Sequence, residues 1–144
     1  MRIGVLGAGF MGGTHGKAYA AMPDVEIAAV YAPRPDRGKP LAEELGSRWT
    51  DDLDAVLDDP SIDAVDICLP TPEHRRVTER AFTTGKHVLL EKPIAMTLGD
   101  ADALVRLDTG GKVFMIAHVL RFWAEYVEIA RRVEAGELGR LVSG

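Results

Sequence analysis

Arg2-Ile3-Gly4-Val5-Leu6-Gly7-Ala8-Gly9-Phe10-Met11-Gly12 is the stretch that decides the fold of this chain. An apolar run long enough for one strand, Arg2–Leu6, leads straight into G-x-G-x-x-G, and a helical stretch follows from Gly9 to about Ala21. The three glycines answer three physical needs. Gly7 permits a tight turn, Gly9 lets the backbone approach a pyrophosphate, and Gly12 allows helix and strand to pack closely, while the helix N-terminus attracts phosphate charge. The pattern alone is weak. At a strand-to-helix junction inside a βαβ unit it reads as a dinucleotide site.

Outward from that turn, short apolar runs alternate with amphipathic stretches. Val25–Tyr31, Ile62–Leu69, His87–Leu90 and Val113–Ala117 read as further strands, and Glu73–Thr84, Thr97–Leu107 and Arg121–Ala135 as helices. Strands that are continuously apolar fit a parallel sheet covered on both faces. The β-α-β-α order predicts an α/β fold, a doubly wound parallel sheet in three αβα layers. Between Pro33 and Trp49 the pattern is less regular: three prolines and Gly38 crowd the region, leaving a short helix over about Pro40–Leu45 with Gly46 as its stop. Asp51 or Asp52 is expected to cap a short helix through Leu57, and Thr97 with Asp100 matches a capping box loosely. The acidic group Asp51, Asp52, Asp54, Asp58 and Asp59 lacks calcium-loop spacing and reads as caps and solvated surface.

Composition narrows the function. With 144 residues, the chain is long enough for one domain; apolar and charged contents of 47% and 27% are those of a globular protein. A net charge of −5 argues against bulk attraction to nucleic acid or an anionic membrane. Cys68 is the only cysteine, so no internal disulfide can form, and it reads as a small buried hydrophobe in a cytoplasmic protein rather than as a nucleophile. No apolar stretch reaches the roughly 18 residues a membrane span needs, and the N-terminus does not resemble a signal peptide.

Three further blocks carry chemistry. Glu91-Lys92-Pro93 ends the strand His87–Leu90, at the sheet edge where open α/β folds bind ligands. A lysine works as an acid/base group near neutral pH where its surroundings lower its pKa. On the tripeptide alone, an ordinary surface lysine beside a turn proline is the simpler reading. Pro70-Thr71-Pro72-Glu73-His74 forms a stiff loop fit to lie along the nicotinamide ribose, and His74, in a first helical turn, suits positioning better than catalysis. At the end of the second strand, Tyr31-Ala32-Pro33-Arg34 has no carboxylate to grip a ribose 2′-OH; Arg34 either pairs with a 2′-phosphate, favouring NADP over NAD, or points into solvent. Arg121 is a candidate contact for substrate or cofactor phosphate, Phe122 and Trp123 are expected to pack, and His15 reads as a packing or capping residue. No histidines or cysteines have metal-ligand spacing, and no nucleophile motif appears.

In order, GAGFMGGTH at 7–15, CLPTPEH at 68–74, GKHVLLEKPIAMT at 85–97 and AHVLRFWAEY at 117–126 resemble the family of glucose–fructose oxidoreductase and inositol dehydrogenase, Gfo/Idh/MocA. The resemblance implies a Rossmann domain over 1–120, with a connecting helix and the start of a second α/β domain over 121–144. It implies hydride exchange between NAD(P) and a sugar, polyol or related small carbonyl compound. By the same resemblance Lys92 is the catalytic lysine at the reacting oxygen, and Glu91 orients it and contacts the nicotinamide side. Gly7, Gly9, Phe10, Met11 and Gly12 meet the cofactor phosphates, and Leu69, Pro70, Thr71 and His74 line the nicotinamide ribose. Family members run to more than twice this length, so the second α/β domain and its catalytic groups are expected to be absent, the chain stopping near Gly139-Arg140, where that domain would begin. The expectation is therefore an inactive cofactor domain, with a stand-alone NAD(P)-binding sensor or subunit module as the alternative. Apolar groups on 121–135 and in the tail Leu138, Leu141 and Val142 predict self-association into a homo-oligomer.

Overall fold

β1 (Arg2–Leu6), β2 (Glu26–Tyr31), β3 (Arg48–Thr50), β4 (Ala64–Ile67), β5 (His87–Leu90) and β6 (Phe114–Ile116) form one sheet in the order β3-β2-β1-β4-β5-β6. Every neighbouring pair is parallel, with Val5 opposite Val30 on one side and Asp66 on the other. This computed structural model describes residues 1–140 and 142. Winding runs from β1 outward to β3 and then, through β4, outward to β6, so the chain reverses direction between β1 and β4.

Side chains alternate across the strands and feed two cores. Val5, Ile27 and Val30 pack with Leu41 and Ala42 under α1 (Phe10–Ala20) and α2 (Pro35–Glu44). Leu6, Val65, Ile67, Val88 and Leu90 pack on the other face beneath α3 (Asp54–Leu57), α4 (His74–Thr83) and α5 (Leu98–Val105). Each fully buried Val or Leu contributes about 1.5–3 kcal/mol from removal of its surface from water. The expected three-layer doubly wound sheet is the one observed.

Two elements depart from expectation between Pro33 and Thr50. Helix α2 begins at Pro35, not Pro40, and carries Pro40 inside. Pro35 occupies the first turn, where no backbone N–H is needed. The helix continues through Pro40 because its far side is anchored: Leu41 and Ala42 are core residues, and a Cβ on Gly38 would collide with the Trp49 indole. Trp49 also anchors β3, a strand too short and polar to stand out in the sequence. Its Nε1 donates to the Ala32 carbonyl at 3.2 Å, and Lys39 Nζ sits 5.0 Å from the ring centre.

Local capping follows the sequence at α5 and departs from it at α3. Thr97 Oγ1 accepts from the Asp100 N–H at 3.1 Å at the start of α5, whereas the expected Asp51 or Asp52 cap of α3 is not formed: Leu53 is its N-cap, and Asp52 Oδ1 accepts only the Asp54 N–H at 3.0 Å, one residue inside. Asp58 and Asp59 pair with Arg80 and Arg48, as solvated acidic surface does. A 3-10 turn, Val119–Phe122, precedes α6 (Ala124–Glu134), and no residue of α6 is buried. Phe122 and Trp123, expected to pack, are 66% and 52% exposed, because the 3-10 turn and α6 meet little else among the described residues. Leu141 lies outside the described residues. No described helix is long and apolar enough to cross a membrane.

Candidate functional site

The strand ladders continue one residue past the carboxyl ends of the strands and so aim every site loop. Gly7 N–H donates to Tyr31 O (2.8 Å), Cys68 N–H to Leu6 O (2.8 Å), Glu91 N–H to Ile67 O (3.0 Å) and Ala117 N–H to Leu90 O (2.8 Å). The loops after β1, β2, β4, β5 and β6 thus share one edge of the sheet, at the switch point where doubly wound sheets bind ligands.

A cleft of about 630 Å³ lies there, lined by Gly7, Ala8, Gly9, Phe10, Met11, Ala32, Pro33, Arg34, Arg37, Cys68, Leu69 and Pro70. Gly7 has φ +118°, a conformation L side chains rarely adopt, and a Cβ there would press on the Cys68 carbonyl. A Cβ on Gly12 would collide with the Gly7 carbonyl, so Gly12 lies beneath the turn and holds α1 against β1. Gly9 caps α1 with an ordinary backbone, and a Cβ on it would meet nothing within 4 Å. Open space over a helix N-terminus with no side-chain cap suits a phosphate that must touch backbone N–H groups. The glycine turn therefore fits the pyrophosphate of a dinucleotide.

Arg34 is exposed at the cleft rim and holds Asp36 through two contacts, Nη2 to Oδ2 at 2.6 Å and Nε to Oδ1 at 3.1 Å. That guanidinium keeps the Asp36 carboxyl below its ordinary range. Arg37, overlooked in the sequence because it lay in the irregular region, also lines the cleft.

Lys92 and Arg121 belong to a neighbouring groove of about 510 Å³, with Pro93, Ala117, His118, Val119 and Leu120. Arg121 does not line the cleft of the glycine turn. The Lys92–Pro93 peptide is cis. Thr71 opens the 3-10 turn before α4. His74 is 1% exposed and bridges two loops: Nδ1 lies 2.9 Å from Pro93 O and Nε2 2.9 Å from Leu69 O. A neutral ring donates to one of these carbonyls and a charged ring to both. Either way His74 ties the loop after β4 to the loop after β5.

His15 is not a simple packing or capping residue. From α1 its Nδ1 donates to Asp66 Oδ2 at 2.8 Å, and its Nε2 lies 3.5 Å from Glu91 Oε1. Tyr19 OH donates to the same Asp66 oxygen at 3.0 Å, and Cys68 Sγ to Asp66 Oδ1 at 3.4 Å. The hydrogen bond to Asp66 raises the His15 pKa against the opposing effect of burial, with the charges of Asp66 and Glu91 adding to the rise. Burial, then Asp66, push both the Tyr19 hydroxyl and the Cys68 thiol up, which keeps Cys68 a poor nucleophile although it hydrogen-bonds rather than packing as a plain hydrophobe. The ligand atoms of His15, Asp66 and Cys68 lie within 4.8 Å of one another, a juxtaposition hidden by their spacing in sequence, and they are already engaged by hydrogen bonds. Asp66 escaped notice because it sits singly in an apolar strand.

A parallel sheet reversing between β1 and β4, with a glycine turn and helix N-terminus in the crevice, defines a dinucleotide-binding Rossmann domain. Residues 1–118 match the Gfo/Idh/MocA profile, described as an oxidoreductase family with an NAD-binding Rossmann fold, and the chain belongs to that family. It is 34% identical over 143 residues to scyllo-inositol 2-dehydrogenase (NAD(+)) of Bacillus subtilis, which covers 97% of this chain and 42% of that protein. Over 156 residues it is 32% identical to levoglucosan dehydrogenase of Pseudarthrobacter phenanthrenivorans, covering 99% and 39%. Among solved structures, scyllo-inositol dehydrogenase from Lactobacillus casei with bound NAD(H) and scyllo-inositol superposes with a TM-score of 0.88 at 27% identity, over 96% of this chain and 42% of that one. The chain thus spans about two fifths of the length of these relatives.

Proposed function

We propose that this chain is the cofactor-binding part of an NAD(P)-dependent oxidoreductase that moves a hydride between nicotinamide and a sugar, polyol or related small alcohol or carbonyl compound. The observation that carries this reading is the cleft at the switch point, open above Gly9 and floored by Gly7 and Gly12. Family membership and the relatives' names support the substrate class. When bound, the nicotinamide ring takes up or gives back the hydride of the reacting carbon. Gly7, Gly9, Phe10 and Met11 hold the pyrophosphate, Leu69, Pro70 and Thr71 flank the nicotinamide ribose, and His74 fixes their loop. Lys92 would act at the reacting oxygen, its neutral amine taking the hydroxyl proton as an alcohol becomes a carbonyl and the resulting ammonium returning it in the reverse direction. Arg121, in the same groove as Lys92, meets the substrate side rather than the cofactor phosphates.

The finer cofactor preference is for NADP. Ala32 offers no carboxylate to a 2′-OH, and Arg37 supplies a guanidinium at the rim for a 2′-phosphate, next to Arg34, whose own guanidinium is held by Asp36. Titration of the chain with NADPH and NADH, read by nicotinamide fluorescence, tests both levels. Micromolar NADPH binding, weakened about tenfold or more in Arg37→Ala with NADH binding little changed, is the expected outcome. Equal binding of both cofactors overturns the preference, and absence of binding at millimolar concentration overturns the function.

A further inference from the structure

The buried ion group under the cleft reaches Lys92 through one continuous chain of contacts. His15, on α1, joins Asp66 of β4 (2.8 Å) to Glu91 beyond β5 (3.5 Å), and Glu91 Oε2 accepts the backbone N–H of Lys92 at 2.9 Å. Asp66 and Glu91 are 1% and 6% exposed. Two carboxylates this deeply buried and facing one another across a ring need a positive charge between them. α1, β4 and the loop after β5 are thereby joined next to Lys92.

We propose that His15 is a positioning residue for Lys92: as an imidazolium between Asp66 and Glu91, it fixes the Glu91 carboxylate that holds the Lys92 backbone. This rests on the reading of Lys92 as the acid–base group. The other groups facing the ring are Tyr19 from α1 and Cys68 after β4, and both bond Asp66. Burial pushes both up, so neither ionises near neutrality, whereas the bond to Asp66 and the charges of Asp66 and Glu91 raise the His15 pKa and favour its protonated ring. Loss of its proton removes the charge that holds Glu91 toward α1. The carboxylate then relaxes, and the bond to the Lys92 N–H loosens with it. Lys92 is thus at its best orientation only while His15 is protonated.

The test follows the His15 ring and the Lys92 backbone amide by NMR in the isotope-labelled chain as pH rises from about 5 to about 9, a range chosen around the ordinary histidine value. A charge-assisted N–H···carboxylate bond moves the amide proton downfield. The expected result is that the Lys92 amide moves upfield with the same midpoint as His15, and that Glu91→Gln lowers the His15 midpoint toward its ordinary value and abolishes the Lys92 response. A Lys92 amide that stays flat while His15 titrates overturns the proposal, as does a His15 midpoint unmoved in Glu91→Gln. Should that variant fail to fold, the titration of the unaltered chain decides alone. NADPH and NADH titrations of the same unaltered sample report on the cofactor reading separately. Intact binding without coupling overturns the inference only, and coupling without binding overturns the cofactor reading only.

Discussion

Single residues separate binding from folding most clearly at the glycine turn. A methyl on Gly9 points into open space, and the Gly9 backbone, φ −88° and ψ −169°, suits any L residue. Gly9→Ala should therefore cost no more than about 1 kcal/mol of stability, the ordinary difference between these residues at a helix cap, while obstructing the approach of a pyrophosphate. Gly12→Ala drives a methyl into the Gly7 carbonyl, a contact no side-chain movement relieves, and should destabilise the fold itself. Urea unfolding together with cofactor titration distinguishes the two: weakened binding with a nearly unchanged midpoint for the first, a large loss of midpoint for the second. His15 supplies a pH dependence of known sign. Its pKa is raised in the folded chain above the ordinary 6.5, so protonation favours folding. That contribution is complete below about 6.5 and is lost as pH rises through the raised value. Stability should fall across that interval, and His15→Gln should flatten the slope. Equal slopes for the two proteins in a pH series of denaturation curves would count against the ion group as drawn. The glycine pattern was legible because spacing along one segment sets its geometry. The His15–Asp66–Glu91 group was not, because its members lie on three elements and each alone resembles a stray polar residue.

Among the elements, the long apolar strands β1, β2, β4 and β5 stood out in the sequence, since burial on both faces leaves few polar positions to interrupt them. β3 did not, because three residues carry no periodicity, and its pairing depends on Trp49 meeting Gly38 and Ala32 from elsewhere. The start of α2 was hidden for a related reason: Pro40 signals a helix beginning, and only the tertiary anchoring of Leu41 and Ala42 carries the helix through it. Two buried polar groups have opposite expected effects on removal. Lys86, just before β5, is 2% exposed and donates through Nζ to the carbonyls of Asp59 (2.8 Å) and Ile62 (2.9 Å), tying β5 to the turn before β4. Burial lowers its pKa, but those two bonds offset the cost of the buried charge. Lys86→Met strands both acceptors and should cost about 1–3 kcal/mol. On α4, the hydroxyl of Thr78 is fully buried with no hydrogen-bond partner among the described residues. Thr78→Val keeps the shape and removes that unpaired group, so it should leave stability unchanged or raise it by about 1 kcal/mol. Thermal or chemical unfolding of the two variants should move the midpoint in opposite directions, or at least move only the first.

At the scale of the whole molecule, coverage of the sheet is uneven. The helices α1 and α2 cover β1 to β3 on one face, and α4 and α5 cover β4 to β6 on the other. On the α1 side, Ile3, Ala64, Leu89, Val113 and Met115 line a shallow groove over β4, β5 and β6, with Val113 and Met115 59% and 42% exposed. Among the described residues β6 is also an edge strand, with one row of backbone groups unpaired. Beyond it, α6 carries Tyr126, Val127 and Ile129 exposed on a helix with no buried residue. An apolar face beside an open strand edge favours association of chains over a dispersed state, and with a net charge of −5 long-range repulsion is modest and weakens further with salt. Light scattering of the 144-residue chain should show a mass rising with concentration, more steeply at high salt because screening removes the repulsion while leaving the apolar attraction. Met115→Lys puts a charge in the centre of the exposed face and on the edge strand together, without entering either core. It should suppress the rise while leaving the unfolding midpoint close to that of the unaltered chain. A mass fixed at one chain up to millimolar concentration, in both low and high salt, would show that this face does not draw a second copy.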